Sequence, residues 1–413
     1  MWLLVSLCTD VTVSCRESLR WDAGLLEMGT HHPTRAGDRR AGDRRAGDRR
    51  AGDRRAGDRR ARDRRARDRR APQTVRPGDP AAPASLDTVS TPENPFGQVL
   101  VALVTPFTAD GEVDWADVEK HVDHVVTHGA DGIVVTGTTG ETSTLTDPEK
   151  VRLVEVAKDV AAGRAKIITG GGSNETAHAI ELYKKSEKAG ADGIMVVTPY
   201  YNKPTQAGIL THFRLVADAT DLPVILYDIP GRTGVPIKYE TILRAAKHPN
   251  IRAVKDAKGD LSEVSRVMNQ TDLMYFAGDD ANALPTLAIG GTGLIGVTAN
   301  IAPAPYRTMV DAVNANDLAT ATEAHRALEP LVRATMTHVP GTVATKYILH
   351  GLGRISSPRV RLPLVGPEES EAALIEDEIA LVKHIDGVDF SNFRPDRNAA
   401  AGGALPKVAG TTR

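Results

Sequence analysis

Eight short apolar runs, separated by amphipathic stretches, constrain the fold of this chain more than any other feature. The first run is QVLVALVTPF at 98–107, and the last is GLIGVTAN at 293–300. Between the runs lie stretches with apolar residues at helical spacing, several of which are closed by a glycine. Eight strand-then-helix units are the number that closes a parallel barrel, so we expect an α/β fold, the (β/α)8 TIM barrel. The intervening runs span 131–137, 165–171, 193–199, 223–230, 251–257 and 273–280.

A doubly wound open sheet is the alternative architecture for such an alternation. It requires a glycine-rich nucleotide loop that leaves a strand and opens a helix. The glycines with that spacing, Gly291, Gly293 and Gly296, precede and enter a strand instead. The sequence therefore favours the closed barrel.

The chain divides into four predicted parts. Residues 95–302 hold the barrel strands and helices, and residues 303–390 hold the last barrel helix with a C-terminal helical appendage. We expect residues 1–94 to be a disordered extension and residues 391–413 a flexible tail. The appendage contains helical patterns near 319–336, 341–353 and 368–384.

The N-terminal extension differs from the rest of the chain in composition. Residues 36–70 are seven pentapeptides with 16 Arg and 7 Asp, a net charge of +9 in a chain of net charge −2. With no large apolar side chain, this segment cannot offset its ordering entropy. It is either a tether for nucleic acid or upstream sequence translated from a misassigned start, with Val89 as one candidate for the true start. The domain pattern begins abruptly near Pro95, which favours the second explanation and argues against a nucleic-acid partner.

Cysteine usage and hydropathy indicate the compartment. The two cysteines, Cys8 and Cys15, both lie in the first fifteen residues, so residues from 16 onward cannot form a disulfide among themselves. This fits a reducing cytoplasm. No apolar run approaches the roughly 18 residues of a membrane span, and the start of the chain lacks the charged region of a signal peptide. We therefore expect a cytoplasmic protein with no membrane partner.

Lys255 lies within the apolar body of the sixth run, IRAVKDA. Strand alternation puts Ile251, Ala253, Lys255 and Ala257 on one face, which points either into the barrel interior or towards the helix layer. We expect Lys255 to point into the interior, near the end of the barrel where active sites are built. The small alanines leave room for a ligand's carbon skeleton. Loss of hydration there favours the neutral amine that attacks a carbonyl. The alternative is a lysine that extends along the strand end into solvent.

Several polar residues that follow other strands favour the catalytic interpretation. Tyr227 ends the neighbouring run, and a phenol can carry protons to and from a carbinolamine oxygen. Thr138 and Tyr201 could extend this proton relay. The Thr138-Thr139-Gly140 turn offers hydroxyls and backbone N–H groups suited to a carboxylate.

Six short motifs in register resemble the dihydrodipicolinate synthase and N-acetylneuraminate lyase superfamily. The resemblance covers roughly residues 95–390, including the appendage, and none of the first 94. One such motif is weak evidence, whereas six in the same order are specific. The motifs are GTTGE at 137–141, TPYYNKP at 198–204, YDIPGRTG at 227–234, AVKDA at 253–257, GDD at 278–280 and GVTAN at 296–300.

The resemblance implies a role for each matching residue. Lys255 would be the Schiff-base lysine, and Tyr227 would be the tyrosine that transfers protons. Thr138 would link Tyr227 to Tyr201, which in relatives reaches the neighbouring subunit's site. Thr139 would hold the carboxylate of pyruvate. Main-chain contacts to the keto acid would come from Gly140, Gly278 and Ile295.

Arg232 bears on the subclass. In synthases of this superfamily that join pyruvate to L-aspartate 4-semialdehyde, an arginine at this place grips the second substrate's carboxylate, a task suited to a guanidinium. The resemblance thus implies formation of 4-hydroxy-tetrahydrodipicolinate, for diaminopimelate and lysine synthesis, without a metal or organic cofactor. Another pyruvate-dependent aldolase, acting on N-acetylneuraminate or a 2-keto-3-deoxy sugar acid, is the alternative. Asp228 and Gly231 replace an Asn and a Ser common in the family.

The resemblance also implies assembly and regulation. Relatives form homotetramers, which are dimers of dimers, and some are inhibited by L-lysine at a pocket between subunits. Here Lys150 and His178 stand where sensitive relatives have His and Glu, although Asn174 is retained. Because a cationic Lys150 repels the ligand's ammonium groups, we predict weak or absent inhibition.

One histidine pair could suggest a metal site. His121 and His124 lie three residues apart on the first predicted helix. No third ligand with zinc-like spacing follows, so we expect a solvated helix face and no metal.

Overall fold

Eight parallel strands close into a barrel in chain order, with the first strand paired to the last. A computed structural model gives this arrangement and describes residues 94–397. The predicted barrel is confirmed, and each predicted run contains one strand. The strands are β1 (Val99–Ala102), β2 (Gly132–Val135), β3 (Lys166–Thr169), β4 (Gly193–Val197), β5 (Val224–Asp228), β6 (Ile251–Asp256), β7 (Met274–Ala277) and β8 (Gly293–Gly296).

Helices follow the strands and form the outer layer of the barrel. Their ends carry sequence signals; for example, Thr146 and Glu149 form a capping box at the start of the second helix. The helices of the barrel are α1 (Trp115–Thr127), α2 (Asp147–Ala161), α3 (Thr176–Lys188), α4 (Gln206–Ala217), the one-turn α5 (Pro230–Thr233), α6 (Tyr239–Ala245), α7 (Leu261–Met268), α8 (Ala283–Ala288) and α9 (Pro303–Asn314).

The predicted C-terminal appendage is present as three further helices. They are α10 (Leu318–Met336), α11 (Gly341–Gly351) and α12 (Glu369–Ala380). After α12, Phe393 packs its ring 6.4 Å from that of Tyr347, and Arg397 pairs with Glu376 at 2.6 Å. The predictions for residues 1–93 and 398–413 lie outside the described residues.

The strands are buried on both faces, which explains why they are continuous apolar runs instead of alternating ones. One face packs against the helices. The other face fills the barrel interior with side chains from several strands, including Leu100, Val134, Ile168, Ile225 and Phe276.

The predicted alternation in β6 is wrong at its first residue. Val224 of β5 pairs with Ile251, whereas the next residue, Ile225, pairs with Ala253, so Arg252 is an extra residue on β6. A bulge of this kind shifts the side-chain alternation by one position. Ile251 therefore packs in the outer layer, whereas Ala253 faces the barrel interior as predicted.

The expectation of a solvated histidine face on α1 is also wrong. His121 is 1% exposed, and its Nε2 lies 3.0 Å from Oδ1 of Asn300. Burial lowers the pKa of His121 to about 4, although the hydrogen bond to Asn300 opposes this. Within residues 94–397, no group of three or more His, Cys, Asp or Glu side chains could hold a metal ion, and no helix is long and apolar enough to cross a bilayer.

Candidate active site

Lys255 lies on the interior face of the barrel, as predicted. Its side chain is 4% exposed, and Ala253 and Ala257 of the same segment contribute to the interior cluster. Its Nζ lies 4.3 Å from the ring centroid of Tyr227, which faces it in the register of β5 and β6. Tyr227 is likewise 4% exposed. The barrel thus holds an amine and a phenol together with little access to water.

Gly278 makes the room that the Lys255 side chain occupies. A Cβ at position 278 would lie 3.0 Å from Cγ of Lys255 and 2.9 Å from the carbonyl oxygen of Asp256. The N–H of Gly278 donates to that carbonyl at 2.7 Å, which holds the two strand ends close together. Any larger residue would displace the lysine or the backbone. Ile295, on β8, is fully buried in the same interior cluster.

The turn after β2 is closed by its own hydrogen bonds. The N–H of Gly140 donates to the carbonyl of Gly137, and that of Glu141 donates to the carbonyl of Thr138, both at 3.1 Å. These bonds occupy the amides of Gly140 and Glu141 and close the turn. A Cβ at position 140 would lie 3.0 Å from the carbonyl oxygen of Leu103, so Gly140 also allows the turn to approach β1.

The three residues of the predicted proton relay differ in their exposure within one chain. Tyr227 is buried and Thr138 is half-buried, whereas Tyr201 is 90% exposed. Tyr201 also has a φ of 72°, a left-handed backbone that a tyrosine rarely adopts. The chain by itself therefore keeps Tyr201 out of the barrel interior.

Arg232 lies on the exposed one-turn helix α5, beyond the end of β5. The carboxylate of Asp228, at the end of β5, accepts the N–H of Ile237 at 3.1 Å. Lys258 approaches the same carboxylate at 3.0 Å and donates to the carbonyl of Ile237. Asp228 thus joins the two ends of the segment that carries Arg232.

Sequence reasoning did not assign Lys346 and Glu141, which form a buried ion pair beside the Thr138-Thr139-Gly140 turn. Nζ of Lys346 donates to Oε1 of Glu141 at 2.5 Å, and neither side chain is more than 1% exposed. The signal was present, because Lys346 is a lysine within the otherwise mostly apolar helix α11. It resembles the signal that identified Lys255 within a strand.

Comparison with known proteins agrees with the fold. Residues 95–381 match the Dihydrodipicolinate synthetase family. The chain belongs to this family.

The match to named relatives in the Dihydrodipicolinate synthetase family covers nearly the whole length of those relatives. A 4-hydroxy-tetrahydrodipicolinate synthase of Kineococcus radiotolerans is 50% identical over 294 residues, which are 71% of this chain and 96% of that protein. Two solved structures align with a TM-score of 0.67 and cover 98% of the matched chain. One, from Cyanidioschyzon merolae with lysine bound, is 39% identical over 70% of this chain. The other, from Acinetobacter baumannii in complex with pyruvate, is 37% identical over 69% of this chain.

The residues predicted to weaken lysine inhibition in this member of the family lie together. Lys150 is 8% exposed and lies 3.8 Å from Oδ1 of Asp147, whose Oδ2 lies 2.8 Å from Nε2 of His178. Burial lowers the pKa of Lys150, although Asp147 opposes this. The side chain of Asn174 donates to the carbonyl of Tyr200, in the motif at 198–204. Asp147 thus connects Lys150 and His178.

Proposed function

We propose that the protein condenses pyruvate with L-aspartate 4-semialdehyde to give 4-hydroxy-tetrahydrodipicolinate, through a Schiff base on Lys255. The observation that carries this proposal is the burial of Lys255 in the barrel interior, with two alanines and the ring of Tyr227 as neighbours. Such a site keeps the amine out of bulk water, beside small side chains and a phenol that can carry its protons. Family membership supports the same reaction.

The reaction begins when the amine of Lys255 adds to the keto carbon of pyruvate. Loss of water from the carbinolamine gives an imine, for which Tyr227 carries the protons. Loss of a methyl proton then gives an enamine, whose carbon attacks the aldehyde of the second substrate. Finally the second substrate's own amine displaces Lys255 and closes the ring. The imine nitrogen accepts the electrons, so the chemistry calls for no metal or organic cofactor.

The remaining residues take positioning and recognition roles in this proposal. Thr139 and the adjoining backbone of the Thr138-Thr139-Gly140 turn hold the carboxylate of pyruvate, and Arg232 binds the carboxylate of the second substrate as a bidentate partner. Thr138 connects Tyr227 to Tyr201. Main-chain atoms of the keto-acid pocket come from Gly278 and Ile295.

A homotetramer built from two dimers, in the cytoplasm, completes the proposal. The exposure of Tyr201 supports the assembly, because a tyrosine that is 90% exposed in a left-handed conformation is suited to insertion into a neighbouring subunit. Sedimentation of the purified protein would test the tetramer.

A substrate panel tests the reaction itself. With pyruvate present, we expect turnover of L-aspartate 4-semialdehyde and none of N-acetylneuraminate or 2-keto-3-deoxygluconate. R232A should raise the KM for the semialdehyde by roughly tenfold or more and leave half-saturation by pyruvate unchanged. R244A, at an exposed position of α6, is the matched control. Cleavage of a sugar acid as the main activity would replace this proposal by the aldolase alternative.

A further inference from the structure

Helix α11 of the C-terminal appendage makes two hydrogen bonds to the turn at 138–141. Lys346 donates from Nζ to Oε1 of Glu141 at 2.5 Å, and one helical turn earlier Oγ1 of Thr342 donates to the carbonyl of Thr139 at 3.2 Å. Both donors are buried, with Lys346 fully so and Thr342 6% exposed. The helix therefore contacts the turn at Thr139, which holds the carboxylate in the proposed function, and at Glu141, which ends the GTTGE motif.

Glu141 is held from a second side as well. Its Oε2 accepts the N–H of Arg361 at 2.8 Å, and its φ is 59°, a left-handed backbone that is uncommon outside glycine. A backbone in this region persists where surrounding contacts determine it. The two bonds to the carboxylate of Glu141 supply such contacts. The conformation of the turn thus depends on residues more than 200 positions away in the sequence.

The surroundings make the ion pair sensitive to the loss of either partner. Nζ of Lys346 lies 3.9 Å from the ring centroid of Phe107, and the guanidinium carbon of Arg361 lies 4.4 Å from the same centroid. Burial lowers the pKa of Lys346 to about 8, although Glu141 opposes this. Removing one charge from a buried pair leaves the other uncompensated, whereas removing both is often tolerated.

We propose that Lys346 is a positioning residue for pyruvate: through Glu141 it fixes the turn so that the amides of Thr138 and Thr139 meet the carboxylate of the keto acid. This inference rests on the proposed function. A buried ion pair need not stabilise a fold more than apolar residues would. Two further bonds from the same part of the chain, from Thr342 and from Arg361, converge on this one turn. The geometry therefore indicates that the Lys346–Glu141 ion pair holds the turn in its conformation, in addition to any contribution to general packing.

The test measures the pyruvate concentration that gives half-maximal borohydride trapping on Lys255. K346M should raise this concentration roughly tenfold, because the carboxylate site loses its geometry while the amine remains. The matched control is R307M. Arg307 pairs at 3.0 Å with Asp131, whose carboxylate accepts the N–H groups of Gln98 and Val99 where β1 begins, at the opposite end of the barrel. R307M should lower the Tm and leave half-saturation unchanged.

Two more variants keep the test decisive if K346M fails to fold. The double variant E141Q/K346M leaves no unpaired charge and should also raise half-saturation roughly tenfold, whereas T342V, which loses one neutral hydrogen bond, should raise it about threefold. Wild-type half-saturation in the double variant and T342V would overturn the inference. An equal rise in half-saturation in R307M would also overturn the inference, since the loss of another ion pair would then have the same effect on pyruvate binding. If the wild type is not trapped at any pyruvate concentration, the proposed function itself fails.

Discussion

Nζ of Lys255 lies 4.3 Å from the ring centroid of Tyr227, and the two residues are direct partners in the register of β5 and β6. An ammonium over an aromatic face is attracted to it when charged, and the same ring carries the hydroxyl that can move protons when the amine is neutral. Because the residues sit on paired strands, their separation is set by the sheet and not by a loop. This rigidity suits a nucleophile and a proton carrier that act on the same atoms.

The Tyr227 hydroxyl is expected to matter for rate more than for binding. Y227F should lower kcat by roughly a hundredfold or more, because proton transfer at the carbinolamine loses its carrier, with little change in Tm. Steady-state kinetics with thermal melts would measure both. Y275F is the control, since Tyr275 is equally buried but packs in the outer layer on β7. Equal losses in the two variants would contradict the assigned role.

Gly278 offers a test of the space around Lys255. G278A should slow trapping of Lys255 by pyruvate roughly tenfold or more, because the added Cβ would lie 3.0 Å from Cγ of the lysine. G208A, where the nearest atom to an added Cβ is 3.4 Å away, should trap at the wild-type rate. Trapping of G278A at the wild-type rate would show that Lys255 does not need this room.

Much of the barrel was predictable because its strands are buried on both faces. Such strands are apolar runs with clear ends, and eight of them in alternation with helices allow few other folds. Alternation within a run was less reliable. The predicted orientation of Ile251 was wrong because the extra residue Arg252 shifts the register, and nothing local in IRAVKDA indicates a bulge.

The site was predictable where a polar residue interrupts an apolar strand, as Lys255 does. Lys346 was missed because a lysine on a helix is normally placed at the surface, and its burial depends on a partner that is 205 residues away in sequence. The prediction for His121 was wrong for a similar reason, since its partner Asn300 is 179 residues away in sequence. Long-range pairing is the information that a local pattern lacks.

His121 predicts a pH dependence of stability. Its pKa is lowered by burial to about 4 in the folded protein, from 6.5, so between these values the unfolded chain binds more protons. Stability should therefore rise with pH through this window and fall on acidification, by about 2 kcal/mol from pH 7 to pH 5 for this residue.

Urea unfolding at the two pH values measures this contribution. H121Q should show a smaller loss on acidification than the wild type. H384Q is the control, because the side chain of His384 is 85% exposed. The same loss in H121Q and the wild type would contradict the assignment.

L-lysine should inhibit weakly or not at all. The resemblance implies that the buried Lys150 stands at the pocket where sensitive relatives bind L-lysine, and its positive charge would repel the two ammonium groups of the ligand. Sub-millimolar inhibition of the purified enzyme would contradict this. K150H should increase sensitivity to L-lysine without changing half-saturation by pyruvate.

Borohydride reduction in the presence of pyruvate, followed by mass mapping of peptides, tests the Schiff base most directly. The peptide that contains Lys255 should gain the mass of pyruvic acid less one oxygen atom, as a secondary amine on that lysine. The adduct should be absent without pyruvate and absent in K255R, which should also lose turnover. Modification of a different lysine, or full turnover by K255R, would contradict the account.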